Sequence, residues 1–233
     1  MSPTKSPPPA NRILAALPKK DYQALRRHLT ESPLVFDEIL YQPDSLISDV
    51  YFPNSGIISL VAAVNERSTL EVGLVGREGM LGLSVFMGVG NSQNRAVVQG
   101  VGSAMKMKAI VFRRQSANGG ALPRLLRRYS HSLLTQITQS AVCNQFHSVN
   151  SRLSRWLLMT HDRMGDNEFE LTQDFLSNML GVRREGVSRA AGALQNRKLI
   201  YYTRGRLTIL DRAGLEAISC SCYKTITDEA NGS

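Results

Sequence analysis

The sequence predicts an α+β chain in three parts: an N-terminal β-roll of the jelly-roll kind, a long helix, and a C-terminal winged helix-turn-helix. Three observations carry that prediction. Short apolar segments punctuated by Gly, Pro, Asn and Asp run from residue 34 to 108, the pattern of a small all-β barrel. From Leu122 to about residue 150, apolar residues recur every three or four positions, the period of a helix. Residues 170–194, ELTQDFLSNMLGVRREGVSRAAGAL, read as two short amphipathic helices around Gly181.

The first ten residues, MSPTKSPPPA, read as a disordered tail and lack the apolar stretch of a signal peptide. Residues 11–120 are assigned to the roll. A helix is expected over 11–30, with Leu17, Leu25 and Leu29 on one face and Pro18 opening its second half. Strands are expected at LVFD, ILYQ, LISDVYF, GIISLVAAV, LEVGLVG, RAVVQGV and AMKMKA. A helical turn or two is expected within Met80–Phe86, and a small helix over 109–117.

Residues 121–148 form the long helix and a hinge. About 25 helical residues would span nearly 40 Å, more than a small barrel needs as cover. Leu126, Tyr129, Leu133 and Ile137 make a heptad-like seam, which points to a coiled-coil homodimer; the alternative is a helix packed on its own roll. Phe146–Asn150 breaks the pattern and reads as the hinge. Residues 149–233 form the last part, starting with a helix over Arg152–His161 whose inner face is Leu153, Trp156, Leu157 and Leu158.

In the helix-turn-helix, Thr172 is placed to cap the first helix, and Gly181 supplies the left-handed backbone of the turn. The second helix spans about Arg183–Gln195 and buries Val187, Ala190, Ala191 and Leu194. Its other face carries Arg183, Arg184, Glu185, Ser188 and Arg189. Arg donates two hydrogen bonds to guanine and Glu accepts from cytosine, so these five are the candidate base readers. Residues 199–202 and 206–210 read as a hairpin wing with Arg204 at its tip and Arg206 beside it. Thr172, Gln173, Arg204 and Arg206 are the candidate contacts to the DNA backbone. Between Arg183 and Arg212 eight basic residues face two acidic ones, while 149–233 as a whole carries twelve against ten. The positive charge is thus focused on the recognition helix and wing, as a phosphate footprint requires.

A net charge of +9 favours a polyanionic partner, nucleic acid first and an acidic membrane surface second. No apolar run approaches the roughly 20 residues of a membrane span, so a cytoplasmic protein is expected. Three Cys are too few for a disulfide framework; Cys220-Ser-Cys222 has the form of a metal or redox pair, but is read as an inert pair at a fraying C-terminus. The four His show no metal-ligand spacing, so no metal is expected. No nucleophile elbow, P-loop, dinucleotide fingerprint or HExxH occurs, which gives enzyme chemistry no foothold. The competing reading is a ligand-sensing module whose winged helix contacts protein rather than DNA.

LTQDFLSNMLGVRREGVSRAAGALQNRKLI…LTILD resembles the Crp/Fnr family of bacterial transcription regulators. The fit rests on Leu171, Thr172, Gln173, Leu180, Gly181, Arg184, Glu185, Val187, Ser188, Arg189, Leu194, Leu199, Ile200 and Asp211. The resemblance implies base reading by Arg184, Glu185 and Arg189, a GTGA-like half-site in a palindromic operator bound by a homodimer, and contact with RNA polymerase if the protein activates. There are departures: Gly186 stands for a common Ser or Thr, Lys198 for a Gly, and Ala191 and Gly192 for bulkier residues. In the roll, members that bind cyclic nucleotides carry a ribose-holding Glu and an Arg-Ser/Thr phosphate pair. Here the matching stretch, Gly79 to Ser84, has Gly82 and then Leu83 where the Glu belongs, and Arg95 is followed by Ala96. Tight cyclic AMP binding is therefore not expected. The candidate effector pocket is Gly79, Gly82, Leu83, Arg95 and, on the long helix, Thr138. The chain lacks the N-terminal Cys set of oxygen-sensing members, and nothing singles out His131 or His147 as a haem ligand.

Overall fold

The computed structural model describes residues 9–65, 68–117 and 119–232. Most of the expected N-terminal tail lies outside them. The chain opens with α1 (Arg12–Ala15) and α2 (Lys19–Arg26). Asn11 caps α1 by accepting from the N–H groups of Ile13 and Leu14, and its amide ties that end to the carbonyls of Pro53 and Gly79. The helix expected over 11–30 is divided at residues 16–18, because Pro18 has no N–H to continue α1.

The roll contains β1 (Thr30–Leu34), β2 (Ile39–Tyr41), β3 (Asp49–Pro53), β4 (Ile57–Asn65), β5 (Ser68–Val75), α3 (Leu83–Phe86), β6 (Arg95–Gly100) and β7 (Gly102–Lys108). They form two antiparallel sheets, ordered β1-β7-β3 and β2-β6-β4-β5. The first strand lies earlier than LVFD suggested: Val35 and Phe36 are exposed, and Asp37 turns at φ 65°. Gly56 must be Gly, since its φ is +82° and a Cβ would lie 2.5 Å from the carbonyl oxygen of Gly100. Leu34, Val50, Phe52, Met80, Met107 and Phe112 fill the interior between the sheets.

Next come α4 (Ala109–Ala117) and α5 (Ala121–Phe146), then α6 (Val149–Met164), β8 (Glu168–Glu170), α7 (Gln173–Leu180), α8 (Arg184–Asn196), β9 (Ile200–Thr203), β10 (Arg206–Ile209), α9 (Arg212–Ile218) and α10 (Ser221–Gly232). The expected seam on α5 is turned inward. Leu126 is fully buried, Tyr129 and Leu133 nearly so, all within the roll's own core, and Ile137 packs against it. Tyr129 lies over Gly79, where a Cβ would fall 2.2 Å from its ring. Leu74 N–H donates to Gln136 Oε1 at 2.6 Å and Gln136 Nε2 donates back to Leu74 O at 3.1 Å, so α5 supplies β5, an edge strand, with the partner it lacks. The seam residues are therefore not free to bury against a second chain. A sheet buries its apolar face on another layer, and α5 is that layer.

A second core gathers Leu153, Trp156, Leu157, Leu176, Val187, Leu194, Ile200, Leu207 and Leu215, and Val61 of β4 joins it. β8, which the sequence did not reveal, pairs with β10 to make the wing three-stranded. The C-terminal half docks on the roll through Arg163–Glu78, a 2.8 Å ion pair largely shielded from water, and through contacts of Phe175 with Phe36. The segment expected to fray is helical instead: α10 packs back along α5, with His131 2.8 Å from Glu229 and Arg128 donating to the carbonyl of Gly232.

Candidate nucleic-acid interface

Thr172 caps α7 by accepting from Phe175 N–H at 3.0 Å, and Gly181 closes it at φ +60°. Arg183 then takes an extended backbone as the N-cap of α8. Val187, Ala190, Ala191 and Leu194 are buried, so the helix is held by that face. The opposite face is left to solvent: Arg183, Arg184, Glu185, Ser188 and Arg189 are all exposed. Arg184 leans back on α7, donating to Gln173 Oε1 at 3.3 Å and lying 3.7 Å from Asp174, contacts between exposed groups that are worth little. The side chains of Arg183, Glu185, Ser188 and Arg189 have no hydrogen bond or ion pair among the described residues.

The wing turns at Arg204 (φ 48°) and Gly205 (φ 80°), both left-handed, which suits a two-residue hairpin of type I′. Arg204 and Arg206 are exposed, and Arg206 sits 3.7 Å from exposed Glu170. Tyr202 straps the wing to the helix-turn-helix by donating to Leu171 O at 2.7 Å. Thr172 is exposed but its hydroxyl is engaged as the cap; Gln173 is half-buried. The Arg side chains of α8 and of the wing are thus both left to solvent.

The candidate effector residues differ in their surroundings. Gly79 is covered by Tyr129, Gly82 (φ +96°) lies under Tyr41 and Val50, and Leu83 is buried. Arg95 is half-buried, its Nε without a partner, and Thr138 is exposed. None of the five lines any of four cavities found among the described residues. One cavity of about 670 Å³ lies instead between the β4–β5 hairpin and the start of α8, lined among others by Leu70, Arg152, Gly181, Arg183 and Arg184.

Against the expectation of no metal-binding group, the fold brings together Cys143, His147, Cys220 and Cys222, their donor atoms all within 4.8 Å of one another. Cys220, just before α10, and Cys222, in its first turn, are buried with Cys143 of α5 rather than loose at the chain end. The hydrogen bond with Cys143 pushes the Cys220 thiol down and the Cys143 thiol up. The sequence held two partial signals for this set, the Cys220-Ser-Cys222 pair and a Cys and a His four residues apart at a helix end, but no local spacing links the two segments.

Residues 151–218 match the family model of the Crp-like helix-turn-helix domain. No curated protein matches the chain significantly. Among solved structures, FixK2 from Bradyrhizobium japonicum aligns at TM-score 0.70 and 16% identity, over 82% of this chain and 98% of that one. The c-di-GMP responsive global regulator CLP of Xanthomonas campestris aligns at TM-score 0.67 and 15% identity, over 82% and 99%. A CRP-family transcriptional regulator from Thermus thermophilus aligns at 0.66 and 15%, over 81% and 96%. At such identities the likeness is one of fold. Residues 151–218, which contain α7, α8 and the wing, are thus similar to a Crp-like helix-turn-helix domain, and the chain as a whole shares the fold of solved Crp/Fnr structures.

Proposed function

We propose that this protein is a transcription regulator of the Crp/Fnr type that acts in the cytoplasm and binds a palindromic operator as a homodimer. One observation carries the reading: five polar side chains of a recognition helix stand exposed beside a basic wing, and four of them have no partner among the described residues. The roll over 11–120 is the sensory part, 121–148 the dimerisation helix and hinge, and 149–233 the DNA-binding part. Because Leu126, Tyr129 and Leu133 are spent on the roll, we assign the dimer contact to the outer stripe of α5, where Leu134, Thr138, Ala141 and Val142 are exposed. A two-fold dimer sets its recognition helices about 34 Å apart, one helical turn of DNA. Any effector acts by shifting the packing of α5 and the hinge, which sets that spacing.

The test is a gel-shift titration against salt with DNA fragments selected by the purified protein. Binding through phosphates weakens steeply as salt rises. Arg189→Ala costs about 1–3 kcal/mol at the selected site and little on random DNA, whereas Arg206→Ala weakens all sequences alike. Salt-independent retention, or no selected DNA at all, favours a winged helix that contacts protein and overturns the reading.

A further inference from the structure

We propose that Cys143, His147, Cys220 and Cys222 form a tetrahedral zinc site that staples the hinge to the C-terminal helix. The donors come from three places: the last turn of α5, the residue that caps it, and the junction of α9 with α10. Cys143 lies in the last turn of α5, and His147 N–H closes that turn on the Cys143 carbonyl at 3.1 Å. His147 itself has an extended backbone, φ −110° and ψ 148°, at the point where the chain leaves the helix. Cys143 Sγ is 3.3 Å from Cys220 Sγ, and Cys222 Sγ is 3.6 Å from His147 Nδ1. Zn–S bonds near 2.3 Å and Zn–N bonds near 2.0–2.1 Å at tetrahedral angles separate donors by roughly 3.5–3.8 Å. The set therefore needs shifts of about 1 Å or less to close on an ion.

Two independent observations point the same way. The three cysteines form a small buried cluster of their own, apart from the larger cores. Beside them lie two buried guanidinium groups, Arg152 and Arg155, each with an unpartnered Nε and neither in an ion pair among the described residues. Arg155 acts electrostatically on all three thiols, and also on Glu71. Three thiolates, one neutral imidazole and Zn²⁺ carry a net charge of −1. A buried cation is costly unless paired, and that anionic centre pairs it. Binding displaces the thiol protons to solvent while the ion takes up the three thiolate sulfurs and the imidazole nitrogen.

Closed on zinc, the site pins α10 to α5 at the hinge end, as Arg128 and His131 hold it at the other. It thereby fixes the chain segment on which the orientation of the helix-turn-helix depends. The site stands without the DNA reading; only its effect on DNA binding rests on it.

Full-length protein purified under reducing conditions should carry close to one zinc per chain by elemental mass spectrometry. Replacement by Co²⁺ should give the intense visible bands of tetrahedral cobalt with thiolate charge transfer in the near ultraviolet. Cys222→Ser and His147→Gln should retain no metal through gel filtration while keeping their helix content by circular dichroism. If a variant does not fold, the cobalt spectrum of the unaltered protein decides alone. Failure to bind either ion with thiols reduced, an octahedral cobalt spectrum, an iron–sulfur chromophore, or undiminished binding by the folded variants overturns the proposal. Gel shifts of zinc-loaded and chelated protein are read separately: loss of DNA binding in both arms counts against the DNA reading, not against the metal site.

Discussion

The indole of Trp156 donates a 2.9 Å hydrogen bond to Glu71, joining the first helix of the DNA-binding half to the edge strand of the roll. The Glu71 side chain is half-buried and its carboxyl also accepts from Ser59 at 2.7 Å. Burial pushes its pKa from 4.5 up to about 7, against the pull of Ser59, Arg155, Trp156 and Arg163. The carboxyl that holds the two halves together thus changes charge near neutral pH.

Stability should fall as pH rises through that window. Well below pH 4.5, folded and unfolded chains both hold the proton; between about 4.5 and 7 the unfolded chain loses it and the folded chain keeps it, costing the fold on the order of 3 kcal/mol in all. Urea unfolding from pH 5 to 7.5 should show the decline, and Glu71→Gln should flatten it. Equal slopes in both proteins would show that Glu71 does not titrate in this range.

Neighbouring residues on α5 should respond in opposite ways to the same substitution. Leu134 is 62% exposed on the outer stripe, so Leu134→Glu should yield folded monomers in sedimentation. Leu133 is 9% exposed within the roll core, so Leu133→Glu buries an unpaired charge and should destabilise the fold by several kcal/mol. A Leu134→Glu protein that stays dimeric places the interface elsewhere.

The recognition helix and its exit are not optimised for stability. A Cβ at Gly192 would meet nothing within 4 Å, so Gly192→Ala should stabilise by about 1 kcal/mol. Lys198 stands at φ 59°, a left-handed backbone that costs a side-chain-bearing residue about 1 kcal/mol or more. Lys198→Gly should recover part of that, less the greater freedom it gives the unfolded chain. Thermal unfolding measures both; a lower melting temperature for Gly192→Ala would mean that the site is tighter than it looks.

Cyclic AMP should bind weakly. Leu83 offers the ribose hydroxyl no acceptor, and an unpaired buried hydroxyl costs about 1–3 kcal/mol. Ala96 removes a phosphate donor, and Tyr129 already occupies the space over Gly79. Together these should weaken binding by roughly a hundredfold or more relative to a matched pocket. Calorimetry that returned a micromolar constant, abolished by Arg95→Ala, would refute this.

The sequence by itself determined the local architecture. Thr172 as cap, Gly181 as turn, the buried face of α8 and the Arg204-Gly205 hairpin are each set by neighbours within a few residues, where backbone preference and apolar period act directly. So are α4 and the boundary of α5 near residue 146. The tertiary structure decided what those elements face. An apolar stripe on a helix says that something must cover it, not whether the cover is a second chain or the chain's own roll, and the Leu126–Tyr129–Leu133 seam went to the roll. Strand β8 has only three residues, too short for a period to show. The juxtaposition of Cys143 and His147 with Cys220 and Cys222 depends on α10 folding back along α5, a contact between segments far apart in the chain that no local spacing encodes.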